Sequence, residues 1–308
     1  MTYQVNPLHP IFAAELVGAD AANLTGHLIA AVEALMAQYA VLCIRDQSHI
    51  DDGQHLAFAR AFGPLELPGA KPGAAPARVA FGLYDVSNLG LDGEIVDPDS
   101  PRAKVAKGNE LFHADSSFND LPSKWSILRG VIVTPERGET ELIDMRAVYD
   151  ALPQATKDRI ERLEAEHDYF HSRRQAGADV DGAANPLAPF MRAVQPLVRT
   201  SASGRKTLFV GAHAAGIVGM EAAVGKALID ELIAFATQPR FIYAHKWRTG
   251  DILIWDNRCT LHRGTEYDYR HQKRDMRRAT INEAGEDRSA IPEGLHLGMV
   301  SEPVKRAP

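Results

Sequence analysis

The chain is 308 residues long, with 45% hydrophobic and 24% charged residues, which is the composition of an ordinary globular protein. Its formal net charge of −6 argues against sequence-independent nucleic acid binding, because that function needs a basic face to neutralise phosphates. No apolar run approaches the roughly 18 residues of a membrane span, and the first residues lack the pattern of a secretion signal. We therefore expect neither a nucleic acid nor a membrane as a partner.

The chain has only two cysteines, Cys43 and Cys259. They allow at most one bridge, so the chain is not a disulfide scaffold, and two thiols cannot build a thiolate zinc site. Both lie in apolar runs typical of strands, where a free cysteine usually behaves as a small buried hydrophobe. This usage predicts a reducing compartment, the cytoplasm.

Helices and strands are predicted in the first half of the chain. A helix over 28–40 runs directly into the apolar strand VLCIRD. A second helix over 52–62 has Asp51 or Asp52 as its N-cap, and Gly63 lies just past its end. The later predicted elements are a strand over 126–133 and helices over 146–152 and 154–166.

Three stretches without a clear period are predicted to be long loops. They cover residues 64–80, 93–110 and 172–193, and they carry proline, glycine and alanine. Long loops inside a domain are uncommon and are often functional lids. We expect these three loops to close over a site.

The last third contains several short β-rich runs with turn residues between them. The runs are TLFVGAH, FIYAHKW, DILIW, CTLHR and RRATIN, and a helix over 221–236 interrupts them. Many short strands with a few peripheral helices favour a mainly β fold, a sandwich or jelly roll, over a parallel α/β sheet. The sequence has no glycine-rich motif for a dinucleotide or a P-loop nucleotide.

A His-x-Asp pattern, which can present two ligands from one face of a strand, occurs twice. Imidazole and carboxylate ligands suit non-haem Fe(II), but the pattern is expected about once by chance. Asp51 of the pair His49 and Asp51 lies where a helix needs its cap, so that pair is interpreted as structural. No cap explains His113 and Asp115, which follow the loop KGNELF.

The best candidate for a third ligand is His262, in the segment GDILIWDNRCTLHRG. This segment predicts a hairpin whose second strand ends at the histidine, where the mouth of a barrel could receive it. Taken alone, His262 is more often a structural histidine than a ligand.

Two arginines follow in the segment KRDMRRATIN. Arg274 and Arg278 lie on either side of Met276 at even spacing, so both can point to one face of a strand. Inward arginines are costly unless anions meet them, and the guanidinium fork suits carboxylates. The alternative is a solvated basic edge strand, since Lys273 and Arg277 are also basic.

The whole array resembles the taurine dioxygenase / 2,4-dichlorophenoxyacetate dioxygenase family of Fe(II)- and 2-oxoglutarate-dependent oxygenases. HADSSF, GETELIDMRAVYDALP, GRKTLFVGAHA, GDILIWDNRCTLHRG and RRAT carry the resemblance, which covers residues 5–283. Within the family it is greatest to the 2,4-dichlorophenoxyacetate branch, through NPLHPIFAAE and AFARAFGPLE. The resemblance implies one double-stranded β-helix (jelly roll) domain over 1–308, in which 285–308 is a C-terminal extension without an assigned role.

The resemblance also implies roles for individual residues. His113, Asp115 and His262 match the iron ligands. The 2-oxoglutarate site is matched by Thr140, Arg274 and Arg278, and the last also lies near the substrate's anionic group. The remaining matches are Lys71, Asn109 and His213, which line the substrate pocket, and Trp255, a supporting aromatic residue.

The resemblance further implies the reaction. With Fe(II), 2-oxoglutarate and O₂, such enzymes hydroxylate a C–H bond and release succinate and CO₂. The expected substrate is a small carboxylated molecule of the aryloxyacetate type, cleaved to a phenol and glyoxylate in phenoxyacetate catabolism. The family also leads us to expect a homo-oligomer.

Three alternatives remain open at this point. One is the same chemistry on a sulfonate or another anion, because charge alone does not distinguish these from a carboxylate. The second is a zinc hydrolase, since zinc binds the same ligands. The third is a jelly-roll binding protein without catalytic activity.

Overall fold

The short apolar runs fold into two layers of β-sheet with helices on both outer surfaces. The computed structural model describes residues 3–67, 77–180, 191–201, 203–282 and the backbone of 300–301. The strands are β1 (Gln4–Pro7), β2 (Ala14–Val17), β3 (Val41–Ile44), β4 (Leu65–Leu67), β5 (Tyr84–Asp85), β6 (Trp125–Ile132), β7 (Thr140–Asp144), β8 (Glu164–Asp168), β9 (Arg192–Pro196), β10 (Val198–Thr200), β11 (Lys206–Leu208), β12 (Ala214–Ile217), β13 (Ile242–His245), β14 (Ile252–Asp256), β15 (Thr260–Gly264), β16 (Asp275–Ile281) and β17 (Val300–Ser301). The helices are α1 (Gly26–Tyr39), α2 (Asp52–Arg60), α3 (Pro101–Ala106), α4 (Met145–Ala151), α5 (Gln154–Ile160), α6 (Tyr169–Gln175) and α7 (Ala222–Ala236), with 3₁₀ turns at Lys107–Glu110 and Pro239–Phe241.

The larger sheet has the strand order β1-β2-β3-β14-β6-β16-β4-β17, and β5 also pairs with β16. The smaller sheets have the orders β13-β7-β15, β12-β8-β9 and β10-β11. Pairing is antiparallel except between β2 and β3. This arrangement confirms the prediction of a mainly β jelly roll and excludes a parallel α/β sheet.

Strand β14 shows how both faces of the larger sheet become buried. Leu253 and Trp255 point between the layers and pack with Leu142 of β7. The alternate residues Ile252 and Ile254 point outward into the core under α1 and α2. A strand covered on both faces reads as a continuous apolar run rather than an alternating one, which is why DILIW lacks a period of two.

The first two predicted helices are confirmed, although α1 begins two residues earlier than predicted, at Gly26, and α2 ends two residues earlier, at Arg60. Thr25 caps α1 through Leu28 N, and Ala40 ends the helix in the left-handed region at φ 59°. Asp51 and Gln54 form a capping box at α2. The capping role assigned to Asp51 is therefore confirmed.

Several secondary-structure predictions were wrong. The segment GDILIWDNRCTLHRG does not form the predicted hairpin, because β14 pairs with β3 and β6 whereas β15 pairs with β7 in another sheet. The helix predicted over 154–166 ends at Ile160, because Glu164–Asp168 instead forms β8 between β9 and β12. The loop predicted over 93–110 contains α3 and a 3₁₀ turn, and Ser100 caps α3 by accepting from Ala103 N. The other two predicted loops are only partly right, since 64–80 contains β4 and 172–193 begins inside α6 and ends inside β9. Residues 68–76 and 181–190 of these two stretches lie outside the described residues.

His55 on α2 makes the stability of the fold depend on pH. Its ring is fully buried and its Nε2 lies 3.1 Å from the carbonyl oxygen of Ile127, which it meets as a donor. Burial, reinforced by the Arg129 charge, lowers the pKa of His55 to about 4. Because the unfolded chain binds the proton at a pKa of about 6.5, stability falls as the pH drops from 7 toward 4.

We expect His55→Gln to reduce the acid sensitivity of folding. For a single histidine with these two pKa values, the free energy of unfolding falls by about 2 kcal/mol between pH 7 and pH 5. Urea unfolding at both pH values measures the difference, with His27→Gln, an exposed residue of α1, as the control. An equal loss in the wild type and His55→Gln would contradict this assignment.

Candidate metal centre

Three ligand-type side chains from distant parts of the chain meet between the layers. His113 and Asp115 lie in the loop after the 3₁₀ turn 107–110, and His262 lies in the middle of β15. Two backbone hydrogen bonds join the loop to the strand, from His113 N to His262 O (3.0 Å) and from His262 N to His113 O (2.8 Å). The bridge fixes both histidines on one side of the same short ladder.

The donor atoms are close enough for one ion. His113 Nε2 lies 3.8 Å from Asp115 Oδ1, and His262 Nε2 lies 3.6 Å from Asp115 Oδ2. Both separations are shorter than the summed length of two metal–ligand bonds, each about 2.0–2.2 Å, so one ion can contact both atoms of each pair. All three side chains are buried, and their ligand atoms lie within 4.8 Å of one another.

The protonation states suit metal binding. His113 Nδ1 donates to Leu111 O at 2.7 Å, which leaves the lone pair of Nε2 facing the site. Burial lowers the pKa of His113 to about 4 and that of His262 well below its usual range. Burial alone would raise the pKa of Asp115, but Arg278, His262 and His113 bring it well below its ordinary value. Neutral imidazoles and an ionised carboxylate are the forms that ligate a cation.

A chain of hydrogen bonds orients the carboxylate of Asp115. Trp255 Nε1 donates to Asn257 Oδ1 (2.9 Å), and Asn257 Nδ2 donates to Ser126 Oγ (2.9 Å). Ser126 Oγ then donates to Asp115 Oδ2 at 2.7 Å. Every donor points toward the carboxylate, so the chain stabilises its charge and fixes its plane. The Trp255 ring also lies 4.5 Å from the His262 ring, consistent with the predicted supporting role.

We expect Ser126→Ala to weaken divalent metal binding by about 10–100-fold, the usual effect of losing a residue that supports a ligand. Competition for Mn(II) against a chelator measures this affinity. Thr280→Val is the matched control, because Thr280 is buried opposite Ser126 across β6 and β16 and its hydroxyl bonds to no described residue. Equal affinities of Ser126→Ala and wild type would show that the hydroxyl does not hold the ligand.

Arg278 points into the site, as predicted. Its NH1 donates to Asp115 Oδ1 at 2.6 Å, and its guanidinium lies 5.0 Å from the Tyr84 ring centre. Tyr84 is held in turn by Glu66, which accepts from its hydroxyl at 2.8 Å and also from Ser116, next to Asp115. The inward position of Arg278 excludes the alternative of a solvated edge strand for this residue.

Thr140 and Arg274 lie at one end of β7. Thr140 is opposite Gly264 and His262 is opposite Leu142, so Thr140 and His262 share a face as diagonal neighbours. Trp247 Nε1 donates to Thr140 Oγ1 at 3.0 Å, which leaves the threonine hydroxyl proton free to donate elsewhere.

Arg274 is a cation without a carboxylate partner in the described part of the chain. Its NH2 lies 3.5 Å from Gly138 O and its guanidinium 5.7 Å from the Tyr267 ring centre. Burial lowers its pKa. A partly buried arginine that meets only neutral groups is suited to receive an anion.

The residues predicted to line the substrate pocket differ in placement. His213 is buried, with its ring 5.6 Å from the His113 ring. Asn109 lies in the 3₁₀ turn, and its Oδ1 accepts from Arg173 NH1 at 3.0 Å. Lys71 lies outside the described residues.

A second buried group of ligand-type side chains, Cys43, His245 and Asp251, is a poor metal site. Both ring nitrogens of His245 are engaged, Nδ1 with the Tyr243 hydroxyl (3.0 Å) and Nε2 with Asp251 (3.1 Å). Arg45 NH1 lies 2.7 Å from Asp251, where its charge opposes that of a cation. Burial raises the pKa of the Cys43 thiol, which keeps it protonated. This group is a structural network.

The site combines two neutral imidazoles and one carboxylate with Arg274, an arginine without a carboxylate partner in the described part of the chain. Inside a jelly roll, this combination is typical of the class of non-haem iron oxygenases. Comparison with known proteins agrees. The chain matches the family model described as taurine catabolism dioxygenase TauD, TfdA family, over residues 4–280. The chain therefore belongs to the TauD/TfdA family, and it is an Fe(II)- and 2-oxoglutarate-dependent dioxygenase.

Individual relatives are similar over nearly their whole length. The chain is 43% identical to the alpha-ketoglutarate-dependent 2,4-dichlorophenoxyacetate dioxygenase of Cupriavidus pinatubonensis, over 91% of this chain and 98% of the relative. It is 36% identical to the (S)-phenoxypropionate/alpha-ketoglutarate-dioxygenase of Sphingobium herbicidovorans, over 89% and 93%. The crystal structure of AAD-2 in complex with Mn(II) and N-oxalylglycine aligns with a TM-score of 0.82 at 41% identity, over 90% of this chain and 96% of that one.

Proposed function

We propose that this protein oxidises an aryloxyacetate, using Fe(II), 2-oxoglutarate and O₂, and cleaves it to a phenol and glyoxylate. The observation that carries the proposal is the buried group of His113, Asp115 and His262 beside the inward arginine Arg278. The substrate class is supported by the relatives at 43% and 36% identity, whose names specify 2,4-dichlorophenoxyacetate and (S)-phenoxypropionate.

His113, Asp115 and His262 are the iron ligands in this proposal. When bound, Fe(II) supplies the activation of O₂ that is coupled to decarboxylation of 2-oxoglutarate to succinate and CO₂. The protein contributes neutral imidazoles held by the bridge between His113 and His262, and a carboxylate fixed by Ser126 and Arg278. Burial of all three ligands excludes bulk water from the centre.

Arg274 and Thr140 hold the co-substrate. The unpaired guanidinium of Arg274 provides a planar fork for the distal carboxylate of 2-oxoglutarate. Thr140 donates its free hydroxyl proton to the same carboxylate, because its oxygen already accepts from Trp247. Arg278, which is held beside the centre by Asp115, adds positive charge near the carboxylates of the co-substrate and the substrate.

An aromatic wall beside His113 supports an aryl substrate. Phe118, Tyr169 and His213 form it, with ring centres 5.0 Å apart for Phe118 and His213 and 5.2 Å apart for Phe118 and Tyr169. Edge-to-face rings of this kind offer both edges and faces to an incoming aromatic ring. Of the three, only His213 was predicted from the sequence.

The net reaction places one oxygen atom of O₂ in succinate and the other on the carbon beside the aryl ether oxygen. The product is a hemiacetal, in which the bond from that carbon to the aryloxy oxygen breaks. The aryloxy oxygen takes the hydroxyl proton and leaves as the phenol, and the remaining fragment is glyoxylate. The residues around the site need only hold the methylene carbon toward the metal.

The test is phenol and succinate release from phenoxyacetate with Fe(II), 2-oxoglutarate and O₂. We expect the two products in equal amounts. Succinate released with a sulfonate but not with any phenoxyacetate would favour the alternative substrate class. Turnover that requires zinc and no O₂ would favour a hydrolase, and the absence of any turnover in the iron-loaded protein would favour a binding protein.

We further propose that the protein works in the cytoplasm as a homo-oligomer. Cys43 and Cys259 are both buried free thiols, which is consistent with a reducing compartment. No helix in the described part of the chain is long and apolar enough to cross a membrane. Light scattering after gel filtration measures the oligomeric state, and a monomer mass would contradict this part of the proposal.

A further inference from the structure

An arginine that was not predicted from the sequence lies buried next to the metal centre. Arg173 is on α6 and is only 6% exposed. Its guanidinium lies 4.5 Å from the Tyr169 ring centre, and the Tyr169 ring lies 6.2 Å from that of His213. Because the His213 ring is 5.6 Å from the His113 ring, these contacts place Arg173 beside the aromatic wall and close to the triad.

Arg173 meets only neutral groups within the described ranges. Its NH1 donates to Asn109 Oδ1 (3.0 Å) and to Val105 O (3.2 Å), and its guanidinium lies 4.5 Å from the Tyr169 ring centre. Its Nε is buried and bonds to no described residue. A buried guanidinium with an unused donor and no counter-ion is costly unless an anion completes it.

The surrounding backbone leaves space for this side chain. Gly108 lies in the 3₁₀ turn directly against Arg173, and a Cβ at that position would occupy the space of its guanidinium. Asn109, next in the chain, orients the same group. The turn that was predicted to be a loop therefore holds the arginine in place.

The other two inward arginines already have a partner or an assigned role. Arg278 is paired with Asp115 at 2.6 Å, and Arg274 faces the proposed 2-oxoglutarate subsite beside Gly138. Among the described residues, Arg173 is thus a cation near the triad with neither a carboxylate partner nor an assigned ligand. It also lies against Tyr169 of the aromatic wall, where the ring of an aryl substrate would stack.

We propose that Arg173 binds the carboxylate of the substrate while the wall of Phe118, Tyr169 and His213 contacts its ring. This inference rests on the proposed function and adds a specificity-determining residue to it. Asn109 acts as a positioning residue in this arrangement, because its amide oxygen holds the guanidinium rather than the substrate.

The test compares Arg173→Met and Arg173→Lys with a matched control. Arg174→Met is that control, because Arg174 is the next residue of the same helix, exposed, and 3.4 Å from Asp168. Steady-state kinetics of the iron-loaded enzyme give KM for phenoxyacetate and for 2-oxoglutarate. We expect Arg173→Met to raise KM for phenoxyacetate by about 30-fold or more, with KM for 2-oxoglutarate unchanged. Arg173→Lys is expected to recover part of the loss.

A neutral competitor separates charge recognition from packing. Phenoxyacetamide has the same ring and replaces the carboxylate by an amide. We expect the wild type and Arg174→Met to bind phenoxyacetate more tightly than phenoxyacetamide. Arg173→Met is expected to bind the two compounds with similar affinity.

Each result of these assays decides the inference. Phenol release with an unchanged carboxylate preference in Arg173→Met would overturn the role of Arg173 alone. If Arg173→Met and Arg173→Lys each raised KM for phenoxyacetate and KM for 2-oxoglutarate by the same factor, Arg173 would have a structural role. That result would also overturn the inference. If the wild type released no phenol from any aryloxyacetate, the proposed function would fail, and this assignment with it.

Discussion

Replacing His262 with alanine is expected to abolish turnover and to lower the affinity for Fe(II) by more than about 100-fold. Loss of a residue that merely supports a ligand costs about 10–100-fold, so loss of a ligand costs more. The bridge between His262 and His113 is made by backbone atoms, so the ladder can persist in the variant. Anaerobic equilibrium dialysis measures bound Fe(II), and 2-oxoglutarate-dependent O₂ consumption measures turnover.

The chain contains a matched control for this experiment. His49 belongs to the other His-x-Asp pair, is exposed, and bonds to Asp20 at 2.9 Å. His49→Ala is expected to bind Fe(II) like the wild type. Unaltered Fe(II) binding in His262→Ala would refute the assignment of this histidine.

Replacing Arg274 with methionine is expected to raise KM for 2-oxoglutarate by about 100-fold or more. A buried charge-assisted pair is worth about 2–5 kcal/mol when one partner is removed, and methionine keeps the volume of the side chain without its charge. Arg274→Lys should recover only part of the loss, because an ammonium group lacks the planar fork. Initial rates at varied 2-oxoglutarate and saturating substrate give the value.

Arg270→Met is the control for Arg274, since Arg270 lies nearby in the chain but is exposed and pairs with Asp99 at 3.3 Å. It should leave KM for 2-oxoglutarate within about twofold of the wild type, as surface ion pairs contribute little. A KM in Arg274→Met that equals the Arg270→Met value would show that the co-substrate binds elsewhere.

The metal centre was predictable where spacing carries the chemistry. Residues two apart in an extended segment share a face, so His113 and Asp115 could be selected from the sequence by elimination of the capped pair. His262 was selected as the best third-ligand candidate from its strand context, but only the family resemblance linked it to a site more than a hundred residues earlier in the sequence. The two segments meet because the loop that carries His113 pairs with β15 through backbone hydrogen bonds.

The supporting residues had no local signal. Ser126 lies in an apolar run and reads as an ordinary strand residue, and it supports Asp115 only because the register of β6 places it there. The roles of Trp247 and Arg173 likewise depend on contacts in the folded protein, with Thr140 and Asn109 respectively. Contacts set by sheet register and helix docking cannot be read from one segment at a time.

The prediction of the fold failed mainly at short elements. The helix α3 has six residues and was hidden in a stretch rich in loop-forming residues, although Ser100 and Pro101 form a start signal. Strand β8 was predicted as part of a helix because Glu164–Asp168 has no apolar alternation strong enough to outweigh the preceding helix. Pairing with β9 and β12 decides its conformation, which is a tertiary effect.

Anomalous diffraction from crystals grown with Mn(II) and 2-oxoglutarate would locate the metal and the co-substrate directly. We predict one metal peak bound by His113 Nε2, His262 Nε2 and the Asp115 carboxylate, with the distal carboxylate of 2-oxoglutarate on Arg274. A peak at Cys43, His245 and Asp251 instead, or the absence of metal from the triad, would contradict this prediction.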